Sequence, residues 1–323
     1  MHLPRLLLVL LPLLIGGACS HTPPSASPVQ KTLQVYVTVD WEGATLDEEN
    51  IEAMQAFRQK FPQVPLWHFL NPAYFVKPGM DAQLAASSIR RTLRSHDHLG
   101  LHLHGWQSLM RYCRVPFVEA PSIVTLQEDC EHQDCGYAVS LELAYDTAAL
   151  SRLLSCSQAL MVKHGFPRPD SFRAGGWQAG PKLREALVAN DFKVDSSHID
   201  YRQISSSWTE RSALVKSLTR LHPGASVLDQ PYPVPGGLTQ YPNNGSLADY
   251  FTPEQLVGYL QTLIAADKQV LVTGFHQETA VDFLHRLETA IPMMEQAAAD
   301  AGVTLRWMAS PKLLESHNTT SNK

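Results

Sequence analysis

The run His98-Leu99-Gly100-Leu101-His102-Leu103-His104 changes character at every step. Strand side chains alternate between faces with a period of two, so His98, Gly100, His102 and His104 share one face and the leucines share the other. A strand of an open doubly wound sheet is apolar on both faces. One apolar and one polar face instead predict a barrel, covered outside by helices and carrying chemistry at its mouth. Thr32-Leu33-Gln34-Val35-Tyr36-Val37-Thr38-Val39-Asp40-Trp41-Glu42-Gly43 obeys the same rule. Leu33, Val35, Val37 and Val39 fall on one side; Tyr36, Thr38, Asp40 and Glu42 fall on the other. If the two strands are neighbours, two carboxylates and two or three imidazoles converge, a set suited to a divalent metal.

Outward from these strands, extended and helical patterns alternate along the chain. Strands are predicted at 33–40, 65–70, 97–104, 170–174, 192–197, 269–275 and 303–308. Helices are predicted at 48–60, 81–94, 145–164, 180–190, 253–266 and 279–300. Such alternation implies parallel strands joined by helical crossovers. The stretches 107–144 and 201–252 lack periodicity and read as long loop insertions, of the kind that shape a substrate groove at a barrel mouth.

The 323 residues are 44% hydrophobic and 18% charged, enough apolar surface for a substantial core. Net charge is −5 with no Lys/Arg block, which argues against a nucleic-acid partner. No protein partner is inferred. Near the N-terminus, Arg5 precedes an apolar run from Leu6 to Ile15, too short to span a bilayer, which ends in Gly16-Gly17-Ala18-Cys19. Residues 1–18 read as an export signal. Cys19 sits where a bacterial lipobox places its lipidated cysteine, so the expectation is a periplasmic or outer-membrane-anchored lipoprotein. Residues 19–31 read as a Pro/Ser tether, 32–315 as the barrel domain and 316–323 as a disordered polar tail. Without Cys19, the even set Cys113, Cys130, Cys135 and Cys156 predicts two disulfides in an oxidising compartment, with three pairings open.

Thr38-Val39-Asp40-Trp41-Glu42-Gly43 resembles the first motif of the NodB-type polysaccharide deacetylases, metal-dependent enzymes that remove N- or O-acetyl groups from glycans. Leu99-Gly100-Leu101-His102-Leu103-His104-Gly105-Trp106 resembles a variant of their second, metal-binding motif. Ser171-Phe172-Arg173-Ala174-Gly175-Gly176-Trp177 resembles the third, Val194-Asp195-Ser196-Ser197 the fourth, and Leu271-Val272-Thr273-Gly274-Phe275-His276-Gln277-Glu278 the fifth. The five stand in the family's order. The resemblance implies a distorted (β/α) barrel of about seven parallel strands and an acetylated glycan as substrate. It also implies a divalent metal, zinc first with cobalt or nickel as alternatives, on Glu42, His102 and His104. It makes Asp40 the general base, held by Arg173, and His276 the general acid, paired with Asp195. Trp106 and Trp177 are candidate sugar-stacking platforms.

This chain departs from the family pattern in two places. The family's second histidine lies four residues after the first, where this chain has Trp106, so His98 stays open as a rival to His104. A tryptophan expected near Asp195 is absent. These departures motivate an alternative: a glycan-binding lipoprotein on the same barrel without catalysis. No Gly-x-Ser-x-Gly elbow, phosphate-binding loop or dinucleotide fingerprint competes.

Overall fold

A computed structural model describes residues 31–123, 130–131, 133–204 and 212–314. The expected signal segment, Cys19, most of the tether and the tail 316–323 lie outside these residues. The described chain begins with β1 (Lys31–Asp40), α1 (Glu48–Lys60), β2 (Leu66–Leu70), α2 (Ala82–Thr92) and β3 (His98–Leu103). The first insertion holds α3 (Gln107–Tyr112), the short pair β4 (Cys130–Glu131) and β5 (Asp134–Cys135), and α4 (Leu141–Ala144). Then come α5 (Thr147–Lys163), β6 (Ser171–Ala174), α6 (Pro181–Ala189) and β7 (Val194–Asp195). The second insertion adds α7 (Ser212–Leu221), β8 (Tyr232–Val234) and β9 (Leu238–Gln240). The chain finishes with α8 (Pro253–Ala265), β10 (Val270–His276), α9 (Ala280–Asp300) and β11 (Val303–Met308).

The strands curl in the order β10-β1-β2-β3-β6-β7-β9, all parallel, with β8 antiparallel on the far edge. β11 pairs with the first half of β1, on the edge that β2 takes over from Val37. The curl is completed without a strand. After β9 the chain runs beside β10, where the Gly245 and Ala248 amides donate to the Val272 and Gly274 carbonyls at 2.8 Å. The Asn244 side chain bridges there too, accepting from Val272 N at 2.8 Å and donating to Val270 O at 3.0 Å. The result is the α/β distorted barrel expected, with one correction: 201–252 is not all loop, because β9 supplies the seventh parallel barrel strand. Three residues are too few to carry a period.

The two faces read from sequence are two different cores. Leu33, Val35, Val37, Val39, Leu101 and Leu103 join the outer layer with the helices. Tyr36, Trp67, Phe69, Val194, Tyr241, Val270 and Val272 fill the lower bore, so the barrel is a packed plug and not a pore. The bore is narrow: a Cβ on Gly274 would run into the Thr38 carbonyl, and one on Gly100 would lie 2.6 Å from Ser171 Oγ. Polar side chains are left for the upper end, where the strands finish. The disulfides are Cys113–Cys156, tying the first insertion to α5, and Cys130–Cys135 within the insertion.

On one rim, a smaller cluster of Ile123, Trp177, Leu214 and Leu218 is pinned by His222. Its Nε2–H donates to the Trp177 carbonyl at 2.9 Å. Trp177 needs the anchor, since its φ of +55° lies in the left-handed region that side chains other than glycine avoid. Burial pushes the His222 imidazole down to about 3, outweighing the carbonyl that favours its proton. An unfolded histidine takes its proton near pH 6.5. Between the two values the unfolded state binds more protons, so stability falls as pH falls, by up to about 1.4 kcal/mol per pH unit. Urea unfolding at pH 7, 6 and 5 should show that slope in the wild type and a flatter one in His222→Gln; equal slopes would contradict it.

Candidate metal centre

Glu42, two residues beyond β1, meets His102 from β3 and His104 just after it. Glu42 Oε2 lies 2.7 Å from Nε2 of both imidazoles, and those nitrogens are 3.1 Å apart. All three residues are buried. The outer ring nitrogens are each committed to a main-chain carbonyl: His102 Nδ1 donates to Arg173 O at 3.0 Å, and His104 Nδ1 donates to Tyr137 O at 2.6 Å. A carbonyl only accepts, so each Nδ1 carries the hydrogen and each Nε2 turns a lone pair inward. Burial also lowers the His102 pKa, against the pull of Glu42 and Asp40. Burial opposes the charge on Glu42, but the neighbouring His276 imidazole holds its carboxyl well below the usual carboxylate range. Three buried electron-pair donors at contact distance repel one another unless a cation joins them. The donor set fits a divalent ion, with inner nitrogens free and outer ones fixed by hydrogen bonds.

Local sequence builds this approach. Glycine at 175 is required, since a Cβ there would lie 2.5 to 2.7 Å from the His104 ring. Tyr137, from the first insertion, holds two members of the cluster at once. Its ring stacks on His104 at 4.3 Å and 8°, and its hydroxyl donates to Glu42 Oε1 at 2.6 Å. Nothing in the aperiodic stretch 107–144 marked this residue beforehand. Glu278 packs against Gly43, and burial and the charge on Glu42 both raise its pKa well above the usual carboxylate range.

Asp40 closes β1 and Arg173 lies in β6, both buried. Arg173 NH1 donates to Asp40 Oδ1 and to Thr38 Oγ1 at 2.8 Å each. Its Nε donates to Ser196 O at 3.0 Å, NH2 donates to Ser196 Oγ at 2.8 Å, and the guanidinium lies over the Phe69 ring. A fully buried guanidinium is tolerable because its charge is paired and four of its donor contacts are filled. His276 ends β10, in register with Asp40. Its Nδ1 is 3.0 Å from Asp249 Oδ2 and its Nε2 is 3.4 Å from Glu42 Oε1. Burial would lower this imidazole, but Asp249 and Glu42 raise it well above its ordinary value.

Three expectations need correction. His276 does not pair with Asp195. Asp195 Oδ1 accepts from the Ser197 amide at 2.9 Å, and Oδ2 faces Arg184 at 3.6 Å. It therefore shapes the turn that offers Ser196 to Arg173, and Asp249 takes the place beside His276. Second, Trp106 is no platform: it is fully buried, with the Lys77 ammonium 2.9 Å above its ring, and lines neither the metal cavity nor the groove beside it. Third, the rival ligand His98 stands at the opposite end of β3, its Nε2 3.2 Å from Ser171 Oγ. Four strand residues separate it from His102 by roughly 13 Å, which a shared face does not shorten. Trp177 does border the metal cavity, and its Nε1 is buried with no hydrogen-bond partner among the described residues.

A scan against protein-family models finds no match, and a search of curated proteins finds none. Solved structures do match. A family 4 carbohydrate esterase from Streptomyces lividans, in complex with acetate, is 11% identical over 85% of this chain and 92% of its own, with a TM-score of 0.40. A family 4 acetyl xylan esterase from Clostridium thermocellum, with a cobalt ion, is 13% identical over 84% and 86%, TM-score 0.41. A 4-alpha-glucanotransferase from Thermococcus litoralis is 11% identical over 85% of this chain and 39% of its own, TM-score 0.45. Likeness at this level carries no argument about chemistry, and the reading below rests on the site itself.

Tyr137 generates a direct expectation. Tyr137→Phe keeps the ring on His104 and removes the hydroxyl from Glu42, which should weaken divalent-metal binding about tenfold. Competition against a chromogenic chelator measures it, and an unchanged dissociation constant would remove Tyr137 from the support of the site.

Proposed function

We propose that this protein is a metal-dependent hydrolase that removes acetyl groups from a polysaccharide of the cell envelope or its surroundings. The observation that carries the reading is the convergence of Glu42, His102 and His104 in one cavity with Asp40 and His276 on its walls. When bound, a divalent ion such as zinc polarises an acetyl carbonyl and acidifies water, which amide and ester hydrolysis both need. Glu42 Oε2 and the two Nε2 atoms would hold it. Asp40, with Oδ1 fixed by Arg173, has Oδ2 left to take a proton from the attacking water. His276, oriented through Nδ1 by Asp249, keeps a proton on Nε2 for the departing amine or alkoxide. Against the binding-only alternative, His104 stands beside His102 while the family's second histidine position holds Trp106; the tryptophan absent near Asp195 still supports that alternative.

We further infer that the chain is exported and held at a membrane through Cys19. Two disulfides accord with an oxidising compartment.

Purified protein should carry about one zinc, cobalt or nickel per chain and lose activity to a chelator, and His102→Ala should abolish binding. Elemental analysis decides this; full metal in that variant overturns the assignment. Asp40→Asn should keep the metal while kcat falls by about 10²- to 10⁴-fold. Asp249→Asn removes the anion that raises His276. A general acid must be protonated to act, so the alkaline limb of kcat/KM should move to lower pH, and an unmoved limb would remove Asp249 from that role.

A further inference from the structure

Tyr137 reaches the metal centre from the first insertion, and the residues just before it are held at three points. Asp134 is buried; its Oδ1 accepts from the Ser108 amide at 2.8 Å and its Oδ2 from the Ser108 hydroxyl at 2.7 Å. Lys77 Nζ stands 3.3 Å from the same Oδ2. Ser108 lies in α3, four residues after His104. One carboxylate thus fixes the run leading to Tyr137 against the run that leaves His104. Gly136 and Gly105 then meet backbone to backbone: a Cβ on Gly136 would run into the Gly105 carbonyl, and one on Gly105 would lie 2.8 Å from Gly136 O. Between Asp134 and Gly136 stands Cys135, in a disulfide with Cys130 that staples β4 to β5.

The two disulfides are not equivalent. Cys113–Cys156 joins residues 43 positions apart, with Cys113 buried, and anchors the base of the insertion in the outer core. Cys130–Cys135 joins residues five positions apart, and Cys130 is exposed. A bond closing so short a loop removes little freedom from the unfolded chain, so global stability is not its main effect. Its restraint is local: it limits the conformations open to Asp134, Gly136 and, through them, Tyr137. Exposure also makes it the bond a reductant reaches first, because thiol–disulfide exchange requires access to a sulfur.

We propose that Cys130–Cys135 is a redox control on metal affinity. Oxidised, it holds Tyr137 where its ring, carbonyl and hydroxyl support His104 and Glu42; reduced, it lets that support loosen. The reductant is a dithiol. One of its thiolates attacks Cys130 Sγ, the S–S bond breaks, and Cys135 leaves as a thiolate that takes up a proton. The second thiol then displaces Cys130 from the mixed disulfide, so the protein gains two electrons and two protons and the dithiol ends as a disulfide. A chain exported as proposed above would complete its metal centre only on oxidation, outside the reducing cytosol. This control rests on the metal-centre reading of Glu42, His102 and His104, and on no particular reaction there.

The test uses the full chain, stripped of metal, as wild type, Cys130→Ser/Cys135→Ser and Cys113→Ser/Cys156→Ser, each also carrying Tyr137→Ala. Chelator competition gives the zinc dissociation constant, and urea unfolding runs in parallel. Loss of Cys130–Cys135 should weaken zinc about tenfold, the size of a lost supporting contact, with the unfolding midpoint nearly unchanged. Loss of Cys113–Cys156 should lower the midpoint and leave the zinc constant alone. In the Tyr137→Ala background, losing Cys130–Cys135 should change the constant by under about threefold, because the disulfide acts through that residue. Limiting dithiothreitol followed by iodoacetamide should label Cys130 and Cys135 before Cys113 and Cys156, as mass spectrometry reads directly. Equal zinc constants with and without Cys130–Cys135 would overturn the control and leave the metal centre standing. So would a loss that persists in Tyr137→Ala, earlier labelling of Cys113 and Cys156, or a serine pair at 130 and 135 that unfolds outright, since the bond would then hold the fold and not the site. Wild type that binds no zinc sinks the metal-centre reading and this control with it.

Discussion

Two imidazole nitrogens and a carboxylate oxygen, buried and each presenting a lone pair, do not sit at contact distance without a positive charge among them. That constraint organises the upper end of this barrel. Both histidines spend their Nδ1 hydrogens on main-chain carbonyls, from Arg173 and from Tyr137, so ring orientation and tautomer are set before any ion arrives. Gly175 removes the one Cβ that would push His104 away. Tyr137 then restrains Glu42 and His104 together. Preorganisation of this kind gives three donor atoms an arrangement that could hold a metal ion.

A second buried charge ties the centre to the barrel wall. The Arg173 guanidinium joins β1, through Asp40 and Thr38, to the turn after β7, through Ser196. Removing one partner of such a pair leaves the other uncompensated, at a cost of about 3–5 kcal/mol. Asp195 belongs to this construction and not to the proton relay, since it fixes the turn that presents Ser196. One carboxylate thus acts on another residue's position, while a different one, Asp249, sets the charge state of His276.

The scaffold and the mouth are made from different kinds of sequence. Strands deliver Asp40, His102, Arg173 and His276 to one end, Asp40 in register with His276 and His102 with Arg173. The insertions deliver Tyr137, Trp177's supporting cluster, Asp249 and Tyr250. Loops placed on a rigid barrel end can shape the cavity without moving the residues that the strands deliver.

The chain's periodicity alone determined the barrel, the outward leucines and valines, and the strand ends that carry Asp40, Glu42, His102 and His104, because a period of two ties face to residue number. It also located six of the nine described helices, α1, α2, α5, α6, α8 and α9, while α3, α4 and α7 lie in stretches that read as loop. Three outcomes needed the tertiary structure. His98 shares a face with His102 yet stands at the other end of the bore, because periodicity reports direction and not depth. Trp106 packs in the outer core under Lys77, at the start of α3, where the chain has turned from strand into helix. Asp249 and Tyr137 reached the centre from aperiodic insertions, where contacts are set by how the loop folds back on the barrel. Local pattern specifies local geometry; the partners that tune charge come from residues far away in the chain, and only packing brings them together.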